Sequence, residues 1–180
     1  AFVRGVQSRS SKGSMLKHFV CNEQETNRLN SNSIVSERAL RDIYLRSFEI
    51  AVKEGKPCAV MTSYNLLNGE HTSERKDLIE GVLRGEWGFE GIVVSDWVGF
   101  KSETEDNQKY PRARAYKTVA AGNDLMMPGS IGHYEELLRM LNETRSPLTR
   151  KKMEECAARI LSMVWKLKDC VPENNTNTFS

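Results

Sequence analysis

Hydrophobic positions along the chain alternate between short continuous runs and helical spacing. The runs Met15-Leu16 and Phe19-Val20, Ala59-Val60-Met61 and Ile92-Val93-Val94 read as strands at 14–20, 58–61 and 91–95. Runs too apolar for one wet face are typical of parallel strands covered on both sides. Between them Leu40, Ile43, Tyr44, Phe48 and Ala51 form a stripe that predicts a helix over 36–54. Ser36 is its expected N-cap, Gly55 its stop, and Pro57 bars its continuation. A second helix, capped by Ser73 and stopped at Gly85, carries Leu78, Ile79, Val82 and Leu83. Pro111 suits the first turn of a third, which stops at Gly122. A weaker strand follows at 124–127, broken by Pro128-Gly129. Ser130 opens a helix with Tyr134, Leu137, Leu138 and Leu141 on one side. The last helix, over 149–167, places Met153, Ala157, Ile160, Val164 and Leu167 for packing. A polar loop from Lys101 and an Asn/Thr-rich tail expected to be disordered complete the reading.

Strand–helix alternation implies an α/β fold with parallel strands joined by crossovers. Four such units amount to half of an eight-stranded (β/α)8 TIM-type barrel, incomplete as given, since a whole one takes about 250 residues. The chain has 180 residues, 39% hydrophobic and 28% charged, with a net charge of +2. That balance gives no footprint for nucleic acid. No apolar run is long enough to span a membrane as a helix. Cys21, Cys58, Cys156 and Cys170 lack metal-type spacing.

Parallel sheets do their chemistry where the strands end, because the loops there surround one crevice. The expected ends carry Lys17-His18, Met61 to Asn65, Asp96-Trp97 and Asp124 to Pro128. An ammonium, an imidazole, a phenol, a carboxylate and an indole at one mouth suit a sugar. Its hydroxyls need directional partners and its apolar face stacks on aromatics. Position alone leaves Asp96 open as helix cap, turn former or catalytic group. As a carboxylate in a sugar pocket it can attack an anomeric carbon, with Tyr64 and Lys17 helping to keep it ionised. A zinc site is the rival chemistry, but one His beside a Lys argues against a bound cation. His71 and His133 lie far from the strand ends in sequence. Asn65 reads as structural, Asn68-Gly69 as a turn, Trp87 and Phe89 as packing, and Asp124 as fixing its own loop. Glu25 and Arg28 suggest an ion pair behind the site.

Longer motifs sharpen this. Lys17-His18-Phe19 with Asn22-Glu23-Gln24-Glu25 and Arg28, Met61-Thr62-Ser63-Tyr64-Asn65 with Asn68-Gly69, the run from Leu83 to Gly91 leading into Ser95-Asp96-Trp97, and the run from Ala121 to Pro128 come in order. Together they resemble glycoside hydrolase family 3 of the β-glucosidase type, from Phe2 to about Leu167. The resemblance implies Asp96 as nucleophile of a retaining hydrolysis. It also implies Lys17, His18, Met61, Tyr64 and Trp97 as residues holding the non-reducing glucosyl unit. It implies no cofactor and no metal, and a β-glucoside or oligosaccharide as substrate. Residues 1–168 would be the C-terminal half of the family's N-terminal barrel, and 169–180 a tail or the start of a linker. The family's acid/base Glu comes from a later domain, so Glu86, Glu90 and Glu103 are not assigned that role. N-acetylglucosaminidases of the family carry a Gly-rich stretch where this chain reads Val20 to Gln24; xylosidase or arabinosidase activity stays open, because part of the glycone pocket is not among these residues. The alternative is a truncated, inactive chain with at most weak sugar binding.

Overall fold

A computed structural model describes residues 1–8, 12–26, 28–97 and 109–168. The expected loop over 101–108 and the tail over 169–180 lie outside them. The strands are β1 (Met15–Phe19), β2 (Asn32–Ser33), β3 (Ala59–Thr62), β4 (Leu66–Leu67), β5 (Glu70–His71) and β6 (Ile92–Val94). The α-helices are α1 (Phe2–Val6), α2 (Glu37–Ala39), α3 (Arg46–Gly55), α4 (Ala115–Ala121), α5 (Ile131–Leu141) and α6 (Arg150–Lys168). π-helical segments occupy Leu40–Tyr44 and Asp77–Glu86.

The main sheet is parallel in the order β1-β3-β6, with Val60 paired to Leu16 on one side and to Val93 on the other. Every residue of β3 is buried, as a central strand covered on both faces requires. The expected fourth strand is reduced to one parallel bridge between Val94 and Leu125. The carboxylate of Asp124 accepts from the Val93 amide at 2.7 Å, so a side chain takes a place the backbone ladder would fill. A second sheet joins β2 parallel to β4 and β4 antiparallel to β5. Asn68-Gly69 turns that hairpin with φ of 53° and 91°, the left-handed pair that a tight two-residue turn needs.

Ser36 caps the helical run as expected, its Oγ accepting from the Ala39 amide at 3.2 Å. The run then departs from 3.6 residues per turn. Leu45 donates to the Leu40 carbonyl, five residues back, so Leu40 and Leu45 stack on the inner face. Ile43 is thereby turned out, 66% exposed, and Val52 is buried in place of a later stripe residue. Gly55 stays inside the helix; Lys56 takes the left-handed cap at φ 49°.

The second helical segment follows a 3₁₀ turn over Thr72–Glu74 in which Ser73 is buried, so Ser73 is not its cap. The wider π turns carry it past Gly85, and the left-handed residue beyond it is Gly88 at φ 68°. Pro111 stands outside α4, because Glu74 and Glu136 accept from the amides of Arg114 and Ala115 and start the helix there.

The main core joins Phe19, Leu40, Leu45, Val60, Ile79, Leu83, Trp87, Phe89 and Val93. Trp87 and Phe89 are packing residues, as expected. A second cluster joins Ala115, Val119, Leu137, Leu148 and Cys156 between α4, α5 and α6. Tyr134 and Leu138 face outward on α5. On α6, Ala157 and Val164 are exposed while Cys156 is buried, because Arg159 turns inward to meet Asp124 at 2.7 Å.

Candidate active site

Because β1, β3 and β6 run parallel, with a register shift in β1 between Leu16 and Phe19, their C-terminal ends open on one side. β6 ends in Ser95, Asp96 and Trp97. Ser95 is locked: its amide donates to the Leu125 carbonyl at 2.9 Å, and its Oγ accepts from the Met127 amide at 3.0 Å. Asp96 follows from this fixed point and is 6% exposed. Its Oδ1 accepts from the Trp97 amide at 2.7 Å. Its Oδ2 is buried without a hydrogen bond, 3.4 Å from His18 Nε2. A buried carboxylate oxygen without a hydrogen bond is costly, and the His18 imidazole at 3.4 Å is the polar group that faces it.

His18 reaches Asp96 from β1, across the intervening strand. Lys17, its neighbour on the pleat, is exposed and forms no ion pair among the described residues. The imidazole, not the ammonium, therefore stands against the carboxylate. Met61 pairs with Val94 and is buried, as is Tyr64 just beyond β3. The Arg28 guanidinium lies 4.6 Å over the Tyr64 ring and pairs with Glu25 at 2.7 Å, the ion pair expected from the sequence. Asn65 is structural: its Nδ2 donates to the carbonyls of Val20 and Leu66. Trp97 is 56% exposed, so its indole stands open at the rim. Cys21 is buried nearby, and that burial pushes its thiol up to about 12.

Two features had no usable sequence signal. His71 lies beside the site, its Nδ1 3.3 Å from the Tyr64 carbonyl, because the hairpin folds it back. Asp124 does more than fix its own loop. Its side chain is wholly buried and meets Arg84 and Arg159 at 2.7 Å each, partners 40 and 35 residues away. Burial pulls Arg84 below the usual arginine range against the opposing pull of Asp124.

Among the described residues no group of three His, Cys, Asp or Glu could hold a metal ion, and no helix is long and apolar enough to cross a membrane. A cleft of about 410 Å³ lies at the opposite strand ends, between Cys58, Gly91 and Met163, remote from Asp96.

The sequence model described as "Glycosyl hydrolase family 3 N terminal domain" matches residues 1–163. Beta-glucosidase A of Butyrivibrio fibrisolvens is 44% identical over 171 residues, 93% of this chain and 19% of its own length. The structure of beta-glucosidase 3B from Thermotoga neapolitana in complex with glucose superposes with a TM-score of 0.79 at 43% identity, over 93% of this chain and 23% of that one. A family 3 beta-glucosidase from Bifidobacterium adolescentis gives 0.81 at 33% identity, over 98% and 24%. The chain thus spans about a fifth of the length of the curated relatives it matches. With an α/β fold of parallel strands and helices shared at these scores, the chain belongs to glycosyl hydrolase family 3, through that family's N-terminal domain.

Proposed function

We propose that this chain carries the nucleophile and part of the sugar pocket of a retaining β-glycosidase that removes terminal non-reducing β-D-glucosyl residues. The observation that carries the reading is the asymmetry of Asp96: one oxygen tied to the Trp97 amide, the other buried and unbonded beside His18. The tied oxygen fixes the carboxylate plane. The untied one attacks C1, forming a C1–Oδ2 ester as the glycosidic C–O bond breaks, and the departing oxygen takes a proton from an acid. Water then attacks C1, the same acid in its base form removes the water proton, and the ester bond to Asp96 breaks.

Such a scheme needs two carboxyl groups about 5 to 5.5 Å apart, the second supplied by a part of the longer protein. His18 and Lys17 bind sugar hydroxyls, Met61 and Tyr64 form the inner wall, and Trp97 stacks on the pyranose. Residues 1–168 are the second half of an eight-stranded barrel, and 169–180 lead out of it. Four parallel strand positions, counting Leu125, support that reading. So do the β-glucosidase names of the relatives and the glucose held by the Thermotoga enzyme.

The test places this chain in the corresponding stretch of the Butyrivibrio enzyme. The hybrid is treated with a 2-deoxy-2-fluoro-β-glucosyl fluoride, and the label is mapped by peptide mass spectrometry. The adduct is expected on Asp96, and Asp96→Asn is expected to lower kcat by about a thousandfold or more while glucose still binds. An adduct on another residue ends the proposal.

A second reading has the 180 residues, by themselves, binding sugar without turning it over. The one carboxylate found among the described site residues and the fifth of a relative's length that the chain spans favour it. Turnover of an aryl β-glucoside by the isolated chain would defeat it. A preference for xylosides in the hybrid would move the glycone assignment within the family.

A further inference from the structure

His71 presents one imidazole to two acceptors. Its Nδ1 lies 3.3 Å from the Tyr64 carbonyl and its Nε2 lies 2.7 Å from the Pro111 carbonyl. A carbonyl oxygen only accepts. A neutral imidazole carries a single N–H, so it satisfies one of these contacts and sets a lone pair against the other oxygen. Only the imidazolium donates to both.

The two carbonyls belong to different loops. Tyr64 follows β3 and walls the site; Pro111 lies downstream of Trp97, on the segment entering α4. That segment is also tied where Asn30 accepts from the Lys109 amide, Glu74 from the Arg114 amide and Glu136 from Arg114 Nε. Of these ties only the one through His71 depends on an imidazole proton.

We propose that His71 is a positioning residue acting as a proton-dependent clamp, which as imidazolium fixes the loop bearing Tyr64 to the segment leading into α4. The charged groups on the elements that meet there are Glu70 on β5, Glu74 on the following 3₁₀ turn, Lys109, Arg112 and Arg114 on the 109–114 segment, and Arg28 stacked on Tyr64. Glu74 is occupied by Lys117 at 3.7 Å and by the Arg114 amide. The doubly protonated ring closes the clamp and the singly protonated ring opens one side of it. The clamp stands on geometry. Only its consequence, a sugar pocket tighter on the acid side of neutrality, rests on the glycosidase reading.

The experiment uses the 180-residue protein and no turnover, so its failure leaves the nucleophile assignment untouched. Hydrogen–deuterium exchange of the 109–116 peptide is followed across neutral pH and corrected for intrinsic exchange. Protection is expected to rise about tenfold on the acid side, the weight of one hydrogen bond to a charged donor. His71→Phe should remove that rise. His71→Gln, which donates at every pH, should flatten it. Equal profiles for wild type and His71→Phe overturn the clamp. Ring-nitrogen NMR of the wild type provides a measurement independent of variant folding. Two protonated nitrogens in the protected state support the clamp, and a singly protonated ring with the segment still protected overturns it.

Discussion

Single side chains in this protein divide into those whose polar atoms are fully used and those left with an atom to spare. Asp96 belongs to the second kind; Cys156 and Asp77 belong to the first. Burial pushes the thiols of Cys21 and Cys156 up to about 12 and about 11, so the reactive thiolate is nearly absent at neutral pH. In the native protein at mildly alkaline pH, iodoacetamide should therefore label both at least about a hundredfold more slowly than after unfolding, a contrast read by mass spectrometry. Labelling at the unfolded rate would contradict their burial. Asp77 titrates in the opposite sense. Arg75 donates to both its oxygens, at 2.8 and 2.6 Å, and holds the carboxyl below the ordinary aspartate range. A depressed folded value means that the ion pair stabilises above the unfolded value, about pH 4, and that this is lost as pH falls through the folded one. Asp77→Asn should flatten the acid limb of a urea-midpoint-versus-pH curve. The difference should be no more than about 1 kcal/mol, since the pair is partly exposed.

Between elements, the strongest joint is the buried carboxylate of Asp124, which links β6 through the Val93 amide, the Asp77–Glu86 segment through Arg84, and α6 through Arg159. Removing it leaves the inward-facing Arg159 without its carboxylate and Arg84 with only Glu80 at 3.8 Å, so Asp124→Ala should cost about 3 to 5 kcal/mol in urea unfolding. A loss below about 1 kcal/mol would show that the cluster is not a joint. None of this was legible in the sequence, because the three partners share no local spacing. The three strands of the main sheet were legible, since Val60 and Val93 sit in runs too apolar for any other place, whereas the short β2, β4 and β5 were not. So were the Ser36 and Ser130 caps and the Asn68-Gly69 turn, each a local hydrogen-bond or φ requirement. Helix ends and faces were less so. π turns add a residue per turn, which moved the exposed position to Ile43 and carried the second segment past Gly85. Asp96, His18 and Tyr64 were legible as strand-end residues. The approach of His71 was not, because a two-residue hairpin reverses the chain beneath Tyr64 in a way that sequence distance conceals.

At the scale of the molecule, the main sheet is covered in its middle and, among the described residues, open along β1. β3 is wholly buried, whereas β1 pairs on one edge alone among the described residues and leaves Met15 42% exposed. On α6, Leu161, Val164 and Trp165 form a stripe at helical spacing that points away from the core, 60 to 69% exposed. Parallel sheets are stable when covered, and an unpaired edge or a contiguous apolar stripe is an association surface. The isolated 180-residue protein should therefore self-associate as its concentration rises, which sedimentation velocity will detect. The double variant Leu161→Gln, Trp165→Gln separates the two surfaces, because exposed positions can be changed within about 0.5 kcal/mol of stability. A monomeric variant assigns association to α6. Unchanged association assigns it to the β1 edge, where a charged Met15→Lys should then break it. A wild-type protein that stays monomeric throughout would mean that neither surface is sticky, and that the sheet tolerates its open side.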